Sequence, residues 1–184
     1  MNMDKASFEA FKAQGYNRIP VVREILADTD TPLSTYLKLG KGAHSYFFES
    51  IQGGEKWGRF SISGLPFRTV VRVVGNRVTV VCEGVVVESL ETDDPFVFIE
   101  QYKARFNVAE VTDNQRFGGG LVGYFAYDTV RYVEPTIGPA KDSGALDTPD
   151  ILLMLSEEVV VFDNLRGTIA FVITVDPADA QAFE

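Results

Sequence analysis

The chain has 184 residues, enough for one large domain or two small ones, of which 46% are hydrophobic, 12% aromatic and 23% charged. These proportions exclude a disordered chain, a collagen-like repeat and a disulfide scaffold. The net charge is −9, and residues 117–184 carry 3 Lys or Arg against 11 Asp or Glu. This acidic balance argues against nucleic-acid binding, which needs a basic face.

Signals for a membrane, a signal peptide or a zinc site are missing from the sequence. No apolar run approaches the roughly 18–20 residues that span a bilayer, and the first residues lack the apolar segment of a signal peptide. Cys82 is the only cysteine and His44 the only histidine, too few for structural zinc. A lone thiol suits the reducing cytosol, so we expect a cytoplasmic protein with no membrane contact.

The first third of the chain predicts two helices separated by an extended segment. Residues 4–14 form the first helix, which stops at Gly15, and residues 18–26 are extended. Thr31 is the expected N-cap of the second helix, with Pro32 at its first position. We expect its buried stripe to consist of Leu33, Tyr36, Leu37 and Leu39.

From His44 onward the hydrophobic period changes to two, which indicates strands. The predicted strands cover residues 44–51, 57–64, 67–74, 77–83 and 85–91. Gly75-Asn76 and Glu83-Gly84 are expected to turn hairpins, which makes neighbouring strands antiparallel. In the fourth of these strands Cys82 alternates in phase with two valines, and we expect it to be buried. A helix of about a dozen residues follows Asp94-Pro95. Its expected buried face is Phe96, Ile99, Tyr102 and Phe106.

The last third returns to strands, first over residues 117–130 and then in a hairpin of 151–163 with 168–176, after a loop at 134–149. The glycines of 117–120 indicate close backbone approach, because a strand follows them where a phosphate-binding loop would open a helix. Tyr124, Phe125, Tyr127 and Tyr132 are expected in the core or an interface. The elements together predict an α+β fold with mostly antiparallel β-sheet and interspersed helices. A short final helix from Asp176-Pro177 suggests that residue 184 lies inside a longer protein.

The candidate ligand site lies in the hairpin YFFESIQGGEKWGRFSISGLP of residues 46–66. Antiparallel pairing brings Glu49 and Ser50 near Arg59, a set that complements an amino-acid zwitterion: Glu49 or Ser50 for the ammonium and Arg59 for the carboxylate. The alternative is a surface hairpin with one cross-strand ion pair, which is worth little. Acidic residues of the last third could also include a catalytic pair, although strand ends and loops gather such charge anyway. These residues are Asp128, Glu134, Glu157, Glu158 and Asp163.

Four segments, taken in their order along the chain, resemble the N-terminal region of anthranilate synthase component I. These segments are PVVREILADTDTPLSTYLKL, the hairpin of residues 46–66, FGGGLVGYFAYDTVRYVE and PDILLMLSEEVVVFDNLRGTI. The resemblance spans nearly the whole chain. It implies a 1–184 N-terminal regulatory domain of a longer enzyme, which converts chorismate and ammonia to anthranilate and pyruvate in tryptophan biosynthesis. It also implies a glutamine amidotransferase subunit (component II) as the ammonia-supplying partner.

The same resemblance implies which residues act in this chain and which lie outside it. The residues for chorismate and Mg²⁺ belong to the C-terminal catalytic domain, so the resemblance implies no catalytic residue, metal or cofactor within 1–184 and an inactive fragment. The hairpin would carry the feedback-inhibition site for L-tryptophan, with Ser50 as its hallmark, Glu49 beside it and Arg59 as its basic residue. The indole ring would use an apolar slot chosen from Phe47, Phe48, Ile51, Phe60 and Ile62.

Two alternatives remain open from the sequence. One is the aminodeoxychorismate synthase component, whose family shares the fold and the glycine-rich strand. The other is a purely structural platform that packs on a catalytic domain and binds no ligand. Inhibition by tryptophan separates the first alternative from the preferred one, and calorimetry with tryptophan separates the second.

Overall fold

A computed structural model describes residues 3–52, 56–110, 117–138 and 148–179. The chain divides into two compact units. Unit 1 comprises Met1–Phe67, Phe106–Gly120 and Ser156–Glu184, and unit 2 comprises Arg68–Arg105 and Leu121–Leu155. Each unit is built on one five-stranded sheet.

The elements follow the chain in an alternation that is dominated by strands. The helices are α1 (Lys5–Ala13), α2 (Pro32–Leu39), α3 (Pro95–Lys103) and α4 (Val130–Val133). The strands are β1 (Ile19–Leu26), β2 (Tyr46–Gln52), β3 (Lys56–Gly64), β4 (Thr69–Val74), β5 (Arg77–Cys82), β6 (Val85–Glu91), β7 (Gly120–Phe125), β8 (Ile151–Ser156), β9 (Glu158–Asp163) and β10 (Thr168–Val175). The α+β prediction is confirmed.

The sheet of unit 1 has the strand order β1-β10-β9-β3-β2, and its neighbouring strands are antiparallel. Strand β9 is buried on both faces because Val159 packs with Val22 and Val172, whereas Val160 and Phe162 pack on the opposite side. Strand β3 pairs directly with β9 and therefore holds the β2–β3 hairpin against the core of this unit.

Helix α1 begins and ends as its sequence predicts. The Asp4 side chain accepts a hydrogen bond from the Ser7 backbone N–H at 2.8 Å, and Gly15 follows the helix in a left-handed conformation with φ of 85°. Phe8 is the buried residue of the helix and packs with Ile19 and Ala109.

Helix α2 also begins as predicted, with Thr31 and Ser34 forming a reciprocal capping box ahead of the first turn. Its predicted leucine stripe is wrong. Leu33, Leu37 and Leu39 are exposed, and the helix packs through Thr35 and Tyr36. The Tyr36 ring stacks on Phe47 at 5.4 Å and its hydroxyl contacts Ser45 Oγ at 3.0 Å, so the aromatic contact decides which face turns inward.

The predicted strand of residues 151–163 is two strands in different sheets. Strand β8 ends at Ser156 in the sheet of unit 2, and β9 begins at Glu158 in the sheet of unit 1. Glu157 lies between them: its carboxylate accepts a hydrogen bond from Arg18 Nε at 3.1 Å, and its carbonyl accepts one from the Thr174 N–H at 2.7 Å. These contacts fix the residue at which the run changes sheet.

The sheet of unit 2 has the order β6-β5-β4-β8-β7. Both predicted hairpin turns are confirmed, because Val74 pairs with Arg77 and Cys82 pairs with Val85. The burial predicted for Cys82 is wrong. A register shift between Val80 and Val81 interrupts the alternation in β5, and Cys82 is only half-buried.

The predicted helix after Asp94 is confirmed, although it is shorter and its buried face is partly different. It ends at Lys103, before Phe106, and Phe98 takes the place predicted for Phe96. Ile99 and Tyr102 are buried as predicted.

The glycine-rich stretch leads into a strand that ends earlier than predicted, at Phe125, and a short 3-10 turn over Tyr127–Thr129 follows. The close-approach explanation of its glycines is confirmed. A Cβ at Gly123 would overlap the carbonyl oxygen of Leu152, and one at Gly119 would overlap that of Ser156. Of the aromatics expected in the core or an interface, Tyr124, Phe125 and Tyr127 are exposed, so a core placement is wrong for these three and an interface placement stays a prediction. The strand that carries Tyr124 and Phe125 is the outermost of its sheet, and Tyr127 lies in the turn after it.

The predicted loop and the predicted final helix lie partly outside the described residues, at 139–147 and 180–184. Residues 135–137 form a short 3-10 turn, and residues 177–179 form a turn after Asp176. No helix among the described residues has the length and apolarity needed to cross a membrane.

A candidate ligand site at the β2–β3 hairpin

The β2–β3 hairpin is irregular at the position that the sequence singles out. Tyr46 pairs with Gly64 and Glu49 pairs with Ser61, but the next pair is Ile51 with Trp57, so the register shifts across Ser50. Between these two pairs β2 has one residue, Ser50, whereas β3 has three, residues 58–60, so the extra residues belong to β3. Such an irregularity redirects the strand and is common beside functional sites. Of the predicted site residues, both Ser50 on β2 and Arg59 on β3 therefore lie at the irregular position.

Glu49 is exposed at the end of the regular part of this ladder, where solvent can reach its side chain. The side chains of residues 50–57 and the backbone of residues 53–55 lie outside the described part of the structure. The predicted role of the Ser50 hydroxyl, and of Ile51 in the apolar slot, therefore stays a prediction.

Arg59 is held by Asp163, a residue of β9. Nε of Arg59 lies 3.2 and 3.1 Å from the two carboxylate oxygens of Asp163, and Nη2 lies 2.8 Å from Oδ2. Asp163 is largely buried, with a side chain only 11% exposed, whereas that of Arg59 is 42% exposed. The hydrogen bonds from Arg59 lower the pKa of Asp163 below its ordinary value, and the same bonds raise the pKa of Arg59. The pair is ionised at neutral pH.

The ion pair differs from the one that the hairpin alone suggests. The structure joins Arg59 to the β9–β10 turn and records no contact between the described part of Glu49 and Arg59. The Arg59 guanidinium also lies over the neighbouring Phe60 ring at 4.8 Å. Arg59 is thus a fixed cation at the rim of the hairpin, which suits recognition of a carboxylate.

The apolar residues predicted as an indole slot separate onto two faces of the sheet. Phe48 pairs with Ile62 on one face, whereas Phe47 pairs with Ser63 on the other and stacks on Tyr36. Phe48 is half-exposed and stacks on Tyr46 at 4.7 Å. The described residues that offer an apolar surface on one face are therefore Phe48, Phe60 and Ile62.

Tyr46, whose ring stacks on Phe48, also belongs to a buried pair of hydroxyl groups. The Tyr46 hydroxyl lies 3.1 Å from Ser156 Oγ, and its ring also stacks on Phe67 at 5.6 Å and meets Phe117 edge-on at 6.5 Å. Burial raises the pKa of Tyr46, so the hydroxyl stays neutral. No local sequence pattern indicates this pair, because its members are 110 residues apart along the chain.

Three of the acidic residues of the last third form ion pairs with arginines in the part of the chain that the structure describes. No group of three or more His, Cys, Asp or Glu there could hold a metal ion. Asp163 pairs with Arg59, Glu157 pairs with Arg18, and Asp128 pairs with Arg131. These carboxylates act as partners of arginines.

Comparison with known proteins gives a consistent result. No family model matches the chain. It is 54% identical over 182 residues to anthranilate synthase component 1 of Pseudomonas putida and 52% identical to that of Pseudomonas aeruginosa, in each case over 99% of this chain and 37% of the relative. The chain therefore spans little more than a third of the length of these curated relatives and matches their N-terminal part.

A solved structure gives a weaker likeness. The crystal structure of anthranilate synthase component I from Streptococcus pneumoniae TIGR4 superposes with a TM-score of 0.49 at 24% identity, covering 85% of this chain and 32% of that one. A likeness of this size carries no argument about function.

Proposed function

From its homology to the N-terminal part of anthranilate synthase component 1, an enzyme of tryptophan biosynthesis, we propose that this chain is the regulatory domain of such an enzyme. The observation that carries the proposal is identity above 50% along 99% of the chain, which includes the irregular β2–β3 hairpin. The complete protein would convert chorismate and ammonia to anthranilate and pyruvate. The ammonia would come from glutamine through an amidotransferase subunit, component II.

The proposed ligand of the hairpin is L-tryptophan, acting as a feedback inhibitor. Its ammonium group would meet Glu49 and the Ser50 hydroxyl, and its carboxylate would meet Arg59. Three features support this assignment: an exposed carboxylate at Glu49, a register shift that places Ser50 opposite residues 58–60, and an oriented cation at Arg59. A charge-assisted hydrogen bond is stronger than a neutral one. This set of residues would therefore bind a zwitterion more tightly than a ligand that carries only the ammonium group or only the carboxylate group.

Inhibition by a ligand requires unequal binding to two states of the enzyme. Tryptophan would inhibit if it binds an arrangement of the complete protein in which chorismate is not turned over. The catalytic residues and Mg²⁺ would belong to the catalytic domain, and the 184-residue chain alone would form no anthranilate.

The test is anthranilate formation by the complete protein, followed by fluorescence with chorismate, Mg²⁺ and either ammonium or glutamine plus component II. We expect turnover that falls as tryptophan is added. Turnover that tryptophan does not inhibit would contradict the regulatory role. The chain would then act as the structural platform without a ligand site. Formation of a chorismate product other than anthranilate would favour an aminodeoxychorismate synthase component.

A further inference from the structure

The structure fixes Arg59 through one edge of its guanidinium. Nε and Nη2 donate to the Asp163 carboxylate, which occupies the side edge of the group. Among the described atoms, which leave out the side chains of residues 50–57, no acceptor lies within hydrogen-bond distance of Nη1. The end edge, formed by Nη1 and the second Nη2 hydrogen, thus has no second partner in the described part of the structure, and an arginine can bind a second carboxylate through this edge.

Asp163 is itself held in place by the turn that follows β9. Its Oδ1 accepts hydrogen bonds from the backbone N–H groups of Leu165 and Arg166, both at 3.1 Å. Because the carboxylate is largely buried and bound by backbone donors, it cannot swing toward solvent without losing them. The position of the carboxylate therefore determines the orientation of Arg59.

The next residue, Asn164, holds the backbone around Arg59. The Asn164 N–H donates to the Arg59 carbonyl at 2.7 Å, and its side-chain amide donates to the Gly58 carbonyl and to Ser61 Oγ, each at 3.1 Å. The β9–β10 turn thus binds the main chain and the side chain of Arg59 at once. A side chain that is oriented before binding loses less conformational entropy when its ligand arrives.

We propose that Asp163 is a positioning residue of the tryptophan site, which holds Arg59 side-on so that the end edge of its guanidinium faces the ligand carboxylate. This inference rests on the proposed function, and it assigns a role to a residue of β9 that touches no ligand. It extends the regulatory site from the β2–β3 hairpin to the β9–β10 turn.

The variant that tests it is Asp163→Asn in the complete protein. Asparagine keeps the size of the side chain and an oxygen for the turn N–H groups, but it removes the charge and one of the two oxygens that face Arg59. The inhibitory concentration of tryptophan should rise about tenfold, the lower end of what one lost hydrogen bond to a charged group produces. Inhibition is expressed relative to the uninhibited rate of each variant.

A matched control is Glu88→Gln in unit 2. Glu88 accepts two hydrogen bonds from Arg105, at 2.7 and 2.9 Å, so the variant makes the same charge change in an ion pair outside the site. Its tryptophan sensitivity should equal that of the wild type. A shift as large as that of Asp163→Asn would mean that net charge and not position governs inhibition, which would overturn the proposal.

A double-mutant cycle with Arg59→Met separates positioning from a general structural role. If Asp163 acts through Arg59, Asp163→Asn should raise the inhibitory concentration no further once Arg59 is gone. An equal rise in both backgrounds would overturn the inference. Asp163→Glu, which keeps the charge and displaces it by one methylene, should give a smaller rise and replaces Asp163→Asn if that variant makes no active enzyme.

The outcomes also distinguish this inference from the proposed function. A wild type that tryptophan does not inhibit would refute the proposed function and this inference with it. A wild type that is inhibited, an Arg59→Met variant that resists and an Asp163→Asn variant that stays fully sensitive would refute this inference alone. An Arg59→Met variant as sensitive as the wild type would also refute it, since Asp163 could then not act through Arg59.

Discussion

Removing the hydroxyl of Tyr46 tests the buried pair that supports the aromatic face of the hairpin. In Tyr46→Phe the ring keeps its stacking on Phe48 and Phe67, but the Ser156 hydroxyl loses its partner at 3.1 Å. Ser156 is 1% exposed, so water cannot replace that partner without rearrangement. An unsatisfied buried polar group costs about 1–3 kcal/mol, which is the expected loss in the free energy of unfolding.

The pair is measured by a double-mutant cycle of Tyr46→Phe and Ser156→Ala. Each single variant leaves one buried hydroxyl unsatisfied, whereas the double variant leaves neither. The double variant should therefore be more stable than the sum of the single changes predicts, by about 1 kcal/mol. The control is Tyr127→Phe. Because Tyr127 is 93% exposed, removing its hydroxyl should change the free energy of unfolding by less than about 0.5 kcal/mol.

Urea unfolding followed by circular dichroism and by the fluorescence of Trp57, the only tryptophan, gives the free energies. Additive single changes, or a Tyr46→Phe variant as stable as the wild type, would show that the hydroxyl pair contributes no net stability.

Three further predictions follow from particular contacts. Gly123→Ala would place a methyl against the Leu152 carbonyl and should destabilise unit 2 by about 1–3 kcal/mol, whereas Gly118→Ala meets nothing within 4 Å and should be tolerated; thermal unfolding compares them. Burial and the hydrogen bond to Asp150 raise the pKa of Tyr132 above its ordinary value of 10.0. This stabilisation is complete below pH 10 and is lost as the pH rises through the raised pKa, so a scan of unfolding temperature above pH 10 should show a loss that Tyr132→Phe lacks. Calorimetry of the 184-residue chain with tryptophan should show weak or no binding if the catalytic domain completes the site, and tight micromolar binding would show a self-contained pocket.

The sequence predicted the features that depend on local chemistry. Asp4 and Thr31 cap their helices, and Gly75-Asn76 turns its hairpin, because caps and tight turns are set by a few adjacent residues. The strand pattern of alternating residues likewise located the β2–β3 hairpin and its candidate residues.

The sequence failed where burial depends on a distant partner. Leu33 and Leu37 have helical spacing, but Tyr36 sets the packed face by stacking on a strand. The run of residues 151–163 is interrupted only by the polar residues 156–158 and contains no Gly or Pro to mark a turn. Its division at Glu157 depends on Arg18, which is 139 residues away.

The candidate site shows the same limit. Spacing brought Arg59 to the hairpin, but its partner Asp163 is 104 residues further along the chain and reaches it only through the pairing of β3 with β9. The tripeptide Phe162-Asp163-Asn164 at the end of an apolar strand is a usable signal for a turn, because Asp and Asn side chains hydrogen-bond to nearby backbone groups. Its contact with Arg59 required the sheet order.

Tryptophan inhibition of the complete enzyme carrying Ser50→Phe tests the regulatory role most directly. Ser50 lies at the register shift of the hairpin, and a phenyl ring there would occupy the space proposed for the ligand and remove a hydrogen bond to its charged head group. That bond alone is worth roughly tenfold or more in affinity, so the inhibitory concentration should rise by at least that factor. Ser89→Phe, at an exposed position of β6, is the matched control and should remain as sensitive as the wild type. A Ser50→Phe enzyme that tryptophan inhibits as strongly as the wild type would contradict the account.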